Sequence, residues 1–171
     1  MELIDFGNEL LKREPKEFDF EEHDAKEFCD ALFKKQQELG GIGLSANQVG
    51  LDAKVFVFGD GKDITRYIIN PVIMGVGEET DLVKEGCLSL PEVFLMIRRP
   101  TRVTLKYQNT EGEDVVEEFV DLAARVVLHE YDHMIGQNFT QRASKLKLDR
   151  AIKSIKKKTV KNIRKKARSL V

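Results

Sequence analysis

The sequence predicts a single α+β domain in which helices pack on antiparallel β-strands. The middle of the chain contains short runs rich in β-branched and aromatic residues, whereas both ends contain segments with apolar residues at helical spacing. The length of 171 residues allows one compact core and is short for two. A hydrophobic fraction of 42% is that of an ordinary folded protein.

The first predicted helix covers residues 20–39, where apolar side chains recur every three or four positions. Asp19 and Glu22 are placed to form a capping box at its start. Cys29 lies on the apolar stripe of this helix, so we interpret it as a small core residue rather than a catalytic one.

Four strands and two further helices follow along the chain. The strands are predicted at residues 54–58, 66–69, 102–108 and 114–120, with a turn at 109–112 between the last two. Asp121 is placed to cap a second helix that runs to about Ile135, and Gly136 is placed to end it. The third helix begins at Lys145, and its apolar stripe is Leu148, Ile152, Ile155, Thr159, Ile163, Ala167 and Leu170.

The chain is predicted to have a body of residues 1–144 and an appended basic helix of residues 145–171, and the charge of the chain changes sign close to this boundary. Residues 1–140 hold 15 Lys and Arg against 28 Asp and Glu, whereas residues 141–171 hold 13 against 1. Such asymmetry is typical either of a surface that faces a polyanion or of a helix whose lysines are simply solvated.

Several locations and classes are disfavoured. The sequence contains no run of about 18 apolar residues, the length needed to span a bilayer, so we expect no membrane segment. The first twelve residues lack the pattern of an export or organelle signal. Only two cysteines occur, Cys29 and Cys87, and we expect them to be free thiols in a reducing, cytoplasmic compartment.

The second predicted helix carries the pattern HExxH, as His129-Glu130-Tyr131-Asp132-His133. Side chains four residues apart on a helix lie one turn above each other, so both imidazoles can bind one cation, with Glu130 beside them. Five residues with three fixed positions also arise by chance in helices. A third ligand is therefore needed before the pattern indicates a metal site.

Cys87 is the candidate for that third ligand, within the segment Glu-Gly-Cys-Leu-Ser-Leu-Pro at residues 85–91. A thiolate with two imidazoles suits Fe(II), Zn, Ni or Co and leaves a position open for water. An isolated cysteine would more often be an inert buried residue. Its neighbours favour a site, because Gly86 permits close backbone approach and the following loop can present the Leu88 amide as a donor.

A third segment, Gly-Ile-Gly-Leu-Ser-Ala-Asn-Gln-Val-Gly at residues 41–50, is rich in glycine. It lacks the closing Gly-Lys-Ser/Thr of a phosphate-binding loop, which disfavours a nucleotide site. Gln48 offers a neutral donor of the kind that a hydrolase needs where negative charge develops on a carbonyl oxygen.

Taken in order, GIGLSANQVG, EGCLSLP and HEYDHMIG resemble the three motifs of the peptide deformylases. Together with Ile69-Asn70-Pro71 and the region around Arg98-Arg99-Pro100, the resemblance extends over most of residues 1–140. It implies a metallohydrolase that removes the N-formyl group from formyl-methionyl nascent peptides, with residues 1–144 as the catalytic domain. It also favours Fe(II), with Zn, Ni or Co as alternatives in the purified protein.

The resemblance assigns roles to matching positions. It implies Cys87, His129 and His133 as metal ligands, Glu130 as general acid and base, and Gln48 with the Leu88 backbone N–H as the oxyanion hole. The peptide would lie extended along the backbones of Ile42, Gly43 and Gly86. Candidates for the wall of the methionine pocket are Val83, Leu122 and Val126, although ordinary core packing explains these three equally well.

Three residues depart from the pattern. Leu128 stands where a glutamine often precedes the first histidine, Ser45 replaces a common alanine, and Arg125 lies where less polar residues are typical. We expect the first two to tune the site, whereas Arg125 puts the shape of the pocket in doubt. Asp132 and Arg99 stand where the family pairs a carboxylate with an arginine that steadies the metal helix.

Two other functions remain to be weighed. A generic zinc peptidase would take its third ligand from a downstream residue, yet the other histidine, His23, lies far upstream. The chain could instead be an RNA-binding module with a structural metal, which would need a fourth protein ligand. In either a deformylase or an RNA-binding module, the basic helix could bind ribosomal RNA through phosphate contacts.

Overall fold

The computed structural model describes the backbone of residues 1–168 and the side chains up to Ile155, together with that of Lys157. It contains antiparallel sheets and three helices, as the α+β prediction requires. Leu170 of the predicted apolar stripe lies outside the described residues, as do the side chains of Thr159, Ile163 and Ala167.

Within residues 1–168, seven strands form two antiparallel sheets. The first sheet has five strands in the order β1-β2-β3-β6-β7, and the second is a β4–β5 hairpin. The strands are β1 (Gly43–Ser45), β2 (Val55–Gly59), β3 (Thr65–Val76), β4 (Thr80–Cys87), β5 (Leu90–Pro100), β6 (Arg102–Gln108) and β7 (Asp114–Val120).

The strand predictions are confirmed for β6 and β7, whose bounds agree with the expected ones, and β2 is displaced by one residue. The expected strand at residues 66–69 is the beginning of β3, which continues to Val76. The strands β1, β4 and β5 were not predicted. On β5 the buried Val93, Leu95 and Ile97 alternate with the exposed Phe94 and Met96, so apolar residues on both faces hide the period of two.

The helices are α1 (Ala25–Glu38), α2 (Asp121–Met134) and α3 (Lys145–Arg168). The expected start of α1 is wrong, because the helix begins at Ala25 after Asp24, whose carboxylate accepts the Glu27 N–H at 2.9 Å. Asp19 instead accepts the N–H of Glu21 in the preceding turn. A short local hydrogen bond to an Asp side chain competes with helix formation, which explains the delay.

Apolar residues pack in three clusters, one of which includes residues of α2. One cluster joins α2 to the five-stranded sheet and includes Phe56, Leu105, Phe119 and Val127. A second holds α1 against β1 and β2, and Cys29 is fully buried there as a free thiol, as predicted. The third joins β5 to Phe139 and to the first turns of α3. The helix α2 also contacts β5 directly.

None of the helices described in residues 1–168 is both long and apolar enough to cross a bilayer.

A buried carboxylate, that of Glu85, ties the β4–β5 hairpin to α2. It accepts two hydrogen bonds from Arg99 of β5, at 2.8 and 3.0 Å, and one from Arg125 of α2. Its Oε2 also lies 3.2 Å from Nδ1 of His129. Arg99 reaches α2 as well, through Asp132 at 3.0 Å, so the pairing of Arg99 with Asp132 expected from the resemblance is present.

The pKa of Glu85 reflects these contacts. Burial raises the pKa, but hydrogen bonds and charge from His129 and Arg99 outweigh burial and lower it to about 2, from an ordinary value of 4.5. A carboxylate whose pKa is lower in the folded state stabilises the fold above the unfolded pKa. That contribution is lost as the pH falls from about 4.5 towards 2.

We therefore predict that Glu85→Gln lowers the free energy of unfolding at pH 7 by about 3–5 kcal/mol, because it removes the buried carboxylate that Arg99 and Arg125 share and leaves each arginine with one acidic partner. It should also flatten the decline in stability between pH 5 and pH 2. Urea titrations over this pH range measure both effects. The matched control is Glu118→Gln, whose exposed pair with Arg102 should contribute less than about 1 kcal/mol. Parallel pH profiles for wild type and Glu85→Gln would contradict the prediction.

Candidate active site

The hairpin and α2 bring one sulfur and two imidazoles together. Cys87 ends β4, just before the turn to β5, and His129 and His133 lie one turn apart on α2. One candidate ligand atom from each residue lies within 4.8 Å of the other two. The Sγ of Cys87 is 3.4 Å from Nε2 of His133. The structure thus brings together the three residues proposed as metal ligands.

The pKa values of the two histidines are shifted in opposite directions. Burial lowers the pKa of His133 to about 3, which keeps its imidazole neutral as a metal ligand must be. For His129 burial also lowers the pKa, but contacts with Cys87 and Glu85 and the charge of Glu130 raise it to about 10. Because Nδ1 of His129 faces Glu85, Nε2 is the nitrogen available for a cation.

These residues fit the divalent metal that the sequence pattern implies. A thiolate and two imidazoles are donors for Fe(II), Zn, Ni or Co, and three protein ligands leave a position for solvent. The carboxylate of Glu85 beside His129 is the kind of environment that stabilises a positive ion. Among the described residues, the group Cys87, His129 and His133 offers ligand atoms close enough to share one ion.

Glu130 lies beside the histidines in an almost solvent-free position. Its side chain is buried, and Oε2 has no hydrogen-bond partner among the described residues. Burial raises the pKa to about 7, against the opposing positive charges of His129 and Arg99. A carboxyl group with a pKa near 7 can both accept and return a proton at neutral pH. The carboxylate packs on the backbone of Gly43, where an added Cβ would overlap its Oε1.

Gln48 and Leu88 lie at the same centre. The Nε2 of Gln48 is 2.9 Å from Ser89 Oγ and 3.3 Å from Cys87 Sγ, so the amide donor points towards the candidate metal ligands. Leu88 follows Cys87 directly, in the two-residue turn between β4 and β5. Its backbone N–H is therefore carried next to the sulfur. Gln48 and Leu88 both line the cavity that His129 and Glu130 also line.

The cavity has a volume of about 540 Å³, which is the size of a small-molecule or peptide side-chain site. All six residues expected to contact the substrate line it, namely Ile42, Gly43, Gly86, Val83, Leu122 and Val126. Val83 is 40% exposed and Leu122 is 64% exposed, so ordinary core packing does not account for these two. Val126 is buried in the core cluster of α2 as well as lining the cavity.

Arg125 lines the cavity, but its guanidinium is held by groups on the hairpin. It pairs with Asp81 and Glu85 and donates to the backbone oxygen of Ile97. Leu128 is a buried core residue whose backbone oxygen accepts from Arg99.

Sequence reasoning missed the role of Glu85, although the residue stands at the start of the motif that identified Cys87. It also missed Asn47, which is buried and donates to the backbone oxygen of His133 at 2.8 Å. A polar residue among the apolar Leu44, Ala46 and Val49 is the sequence signal that could have singled out Asn47.

Comparison with known proteins identifies the family. The family model described as polypeptide deformylase matches residues 1–149. Peptide deformylase of Pseudothermotoga lettingae is 42% identical over 133 residues, covering 78% of this chain and 77% of the relative. That of Fusobacterium nucleatum is 37% identical over 159 residues, covering 90% and 91%.

A solved structure agrees with these matches. The crystal structure of peptide deformylase from Thermotoga maritima has a TM-score of 0.78 and 38% identity, covering 84% of this chain and 97% of that one. The alternative of an RNA-binding module with a structural metal is not supported. The chain belongs to the polypeptide deformylase family, whose members are metallohydrolases that remove the N-formyl group from nascent peptides.

Proposed function

We propose that this chain performs deformylation at the cavity between the hairpin and α2, with the HExxH helix at the centre of a catalytic unit formed by residues 1–144. The observation that carries the proposal is the convergence of Cys87, His129 and His133 within 4.8 Å in a cavity that Glu130 and Gln48 also line. Such a cluster at a concave site supports a catalytic rather than a structural role.

Cys87, His129 and His133 would hold the metal. A divalent cation bound there would polarise the formyl carbonyl and make a neighbouring water more acidic. We propose Fe(II) as the native ion. The donor set also suits Zn, Ni or Co, so these ions should support activity to different degrees.

Glu130 moves the proton. Its carboxylate accepts a proton from the water that attacks the formyl carbon, and it then donates that proton to the departing amine nitrogen. Burial supports this exchange, because it raises the pKa of Glu130 to about 7 and keeps competing solvent away. Gly43 supports it too, since the absent side chain leaves room for the carboxylate.

Gln48 and the Leu88 backbone N–H stabilise the charge that develops on the formyl oxygen. Both are neutral donors; Gln48 lies on the short 3-10 helix Ala46–Val49, and Leu88 lies in the two-residue turn that follows β4. Removal of one such donor typically costs about a hundredfold in rate.

The substrate would be the formyl-methionine end of a nascent peptide. Its backbone would lie along Ile42, Gly43 and Gly86, with the methionine side chain among Val83, Leu122 and Val126. Support comes from the lining of the cavity, in which these groups surround the candidate metal ligands. Such a substrate would place the protein in the cytoplasm, where nascent chains leave the ribosome.

The basic helix α3 would contact the ribosome. Residues 141–171 carry 13 Lys and Arg against one acidic residue, and α3 is anchored to the body through Leu148, Ala151 and Ile155. A cationic helix docked by its first turns could present the remaining charges to phosphate groups of ribosomal RNA.

The first prediction tests the role of Glu130. In protein loaded separately with Fe(II), Zn, Ni or Co, Glu130→Gln should lower kcat for a formyl-methionyl peptide at least about a hundredfold, because the amide cannot accept the proton. Metal content should stay at the wild-type level. The control Glu118→Gln should retain full activity. Comparable turnover by Glu130→Gln would remove this residue as the base.

The second prediction tests the space beside Glu130. Gly43→Ala should reduce kcat/KM by about tenfold or more, because the new Cβ displaces the carboxylate from its position. Gly75→Ala on β3 is the matched control, since an added Cβ there meets no neighbouring atom. Circular dichroism checks that both variants fold. Wild-type kinetics for Gly43→Ala would show that the site tolerates a shifted Glu130.

The third prediction concerns α3. Truncation after Lys157 keeps the anchored turns of the helix and removes the charges beyond them. This variant should co-sediment with ribosomes less than the full chain at low salt, and the difference should shrink as salt rises. Hydrolysis of a short formyl peptide should be unchanged. Equal co-sedimentation of both chains would rule out a ribosome contact through this segment.

A further inference from the structure

Ser45 stands where the related motif commonly has alanine, and its hydroxyl is fully buried beside Gln48. The Oγ of Ser45 lies 3.0 Å from Oε1 of Gln48 and 2.8 Å from Oδ1 of Asn47. The backbone N–H of Ser45 also donates to Oε1 of Gln48, at 3.0 Å. Two donors from one residue therefore face the carbonyl end of the Gln48 amide.

The orientation of this amide decides what Gln48 can do. The oxygen and nitrogen of a glutamine amide have almost the same shape, so hydrogen bonds alone determine which end faces a ligand. Here the nitrogen end lies near Ser89 Oγ and Cys87 Sγ. A rotation by half a turn would bring the Gln48 NH₂ against the N–H of Ser45 and point an oxygen at the cavity. That oxygen would repel the negative charge of an oxyanion.

The same hydroxyl links Gln48 to the helix that carries the histidines. Asn47 donates from Nδ2 to the backbone oxygen of His133 at 2.8 Å, and its Oδ1 faces Ser45 Oγ. Ser45 has one hydroxyl hydrogen, which is shared between the oxygens of Asn47 and Gln48. The hydroxyl thus contacts both amides in addition to their other partners, and together these groups connect the strand β1 to the end of α2.

We propose that Ser45 is a positioning residue for deformylation, which keeps the Gln48 amide nitrogen directed at the formyl oxygen and in register with the metal-binding helix. The inference rests on the proposed function, because it requires Gln48 to act on the substrate. Ser45 itself touches neither the substrate nor the candidate metal ligands; it acts through Gln48.

The test is a double-mutant cycle with Ser45→Ala, Gln48→Ala and the double variant, assayed with the metal-loaded enzyme and a formyl-methionyl peptide. Alanine is sterically safe at position 45, because it only removes the hydroxyl. Ser45→Ala should lower kcat about five- to tenfold with KM changed less than twofold. In the Gln48→Ala background the same substitution should have no further effect on kcat, since the group that it positions is gone.

A destabilised control separates positioning from general loss of stability. Ile69→Val removes one buried methylene from the core cluster of α1, β1 and β2 and should lower the melting temperature without lowering kcat. Metal content is measured for every variant.

Provided that Gln48→Ala lowers kcat, either of two results would overturn the inference about Ser45 and leave the proposed function intact. One is wild-type kcat for Ser45→Ala, and the other is an equal loss in both backgrounds. Wild-type kcat for Gln48→Ala would overturn the oxyanion assignment of the proposed function and this inference with it.

Discussion

The candidate site depends on the contacts that the buried carboxylate of Glu85 makes. This carboxylate is held by Arg99 within the hairpin and by Arg125 from α2, and it faces Nδ1 of His129. Because Cys87 lies two residues further along the same strand, fixing Glu85 against α2 also fixes the distance from the sulfur to the imidazoles. A site assembled from segments more than 40 residues apart in the chain thus depends on one set of ion pairs.

The buried charges are balanced across the network. The buried Arg99 and Arg125 pair with Glu85, Asp132 and the partly exposed Asp81, and the partly exposed Arg142, in the 3-10 helix before α3, adds a second partner to Asp132. Buried charges are costly unless they are paired and hydrogen-bonded, so each arginine needs its carboxylate. In this structure the ion pairs hold the β4–β5 hairpin against α2 next to the candidate metal ligands. Arg125 departs from the family pattern beside the pocket, and its guanidinium pairs with Asp81 and Glu85 as part of this network.

The sequence predicted the α+β class, the strands β6 and β7, and the three candidate metal ligands Cys87, His129 and His133 that the structure brings together, because the resemblance of the three motifs singled these residues out. It did not predict β5, whose apolar residues occur on both faces, nor the late start of α1, which depends on competition between two possible caps. The roles of Glu85, Asn47 and Ser45 could not be predicted either. Each role depends on a partner distant in the chain or on the orientation of a side-chain amide, and a single sequence shows neither of these.

The central claim is that one divalent ion is shared by the Cys87 sulfur and the two histidine nitrogens and still holds solvent. X-ray absorption spectroscopy of the zinc-loaded protein tests this claim directly. The account predicts one sulfur at about 2.3 Å, two imidazole nitrogens at about 2.0–2.1 Å and one oxygen from water. The sulfur signal should disappear in Cys87→Ser. A spectrum without sulfur, or with a fourth protein ligand in place of water, would contradict it.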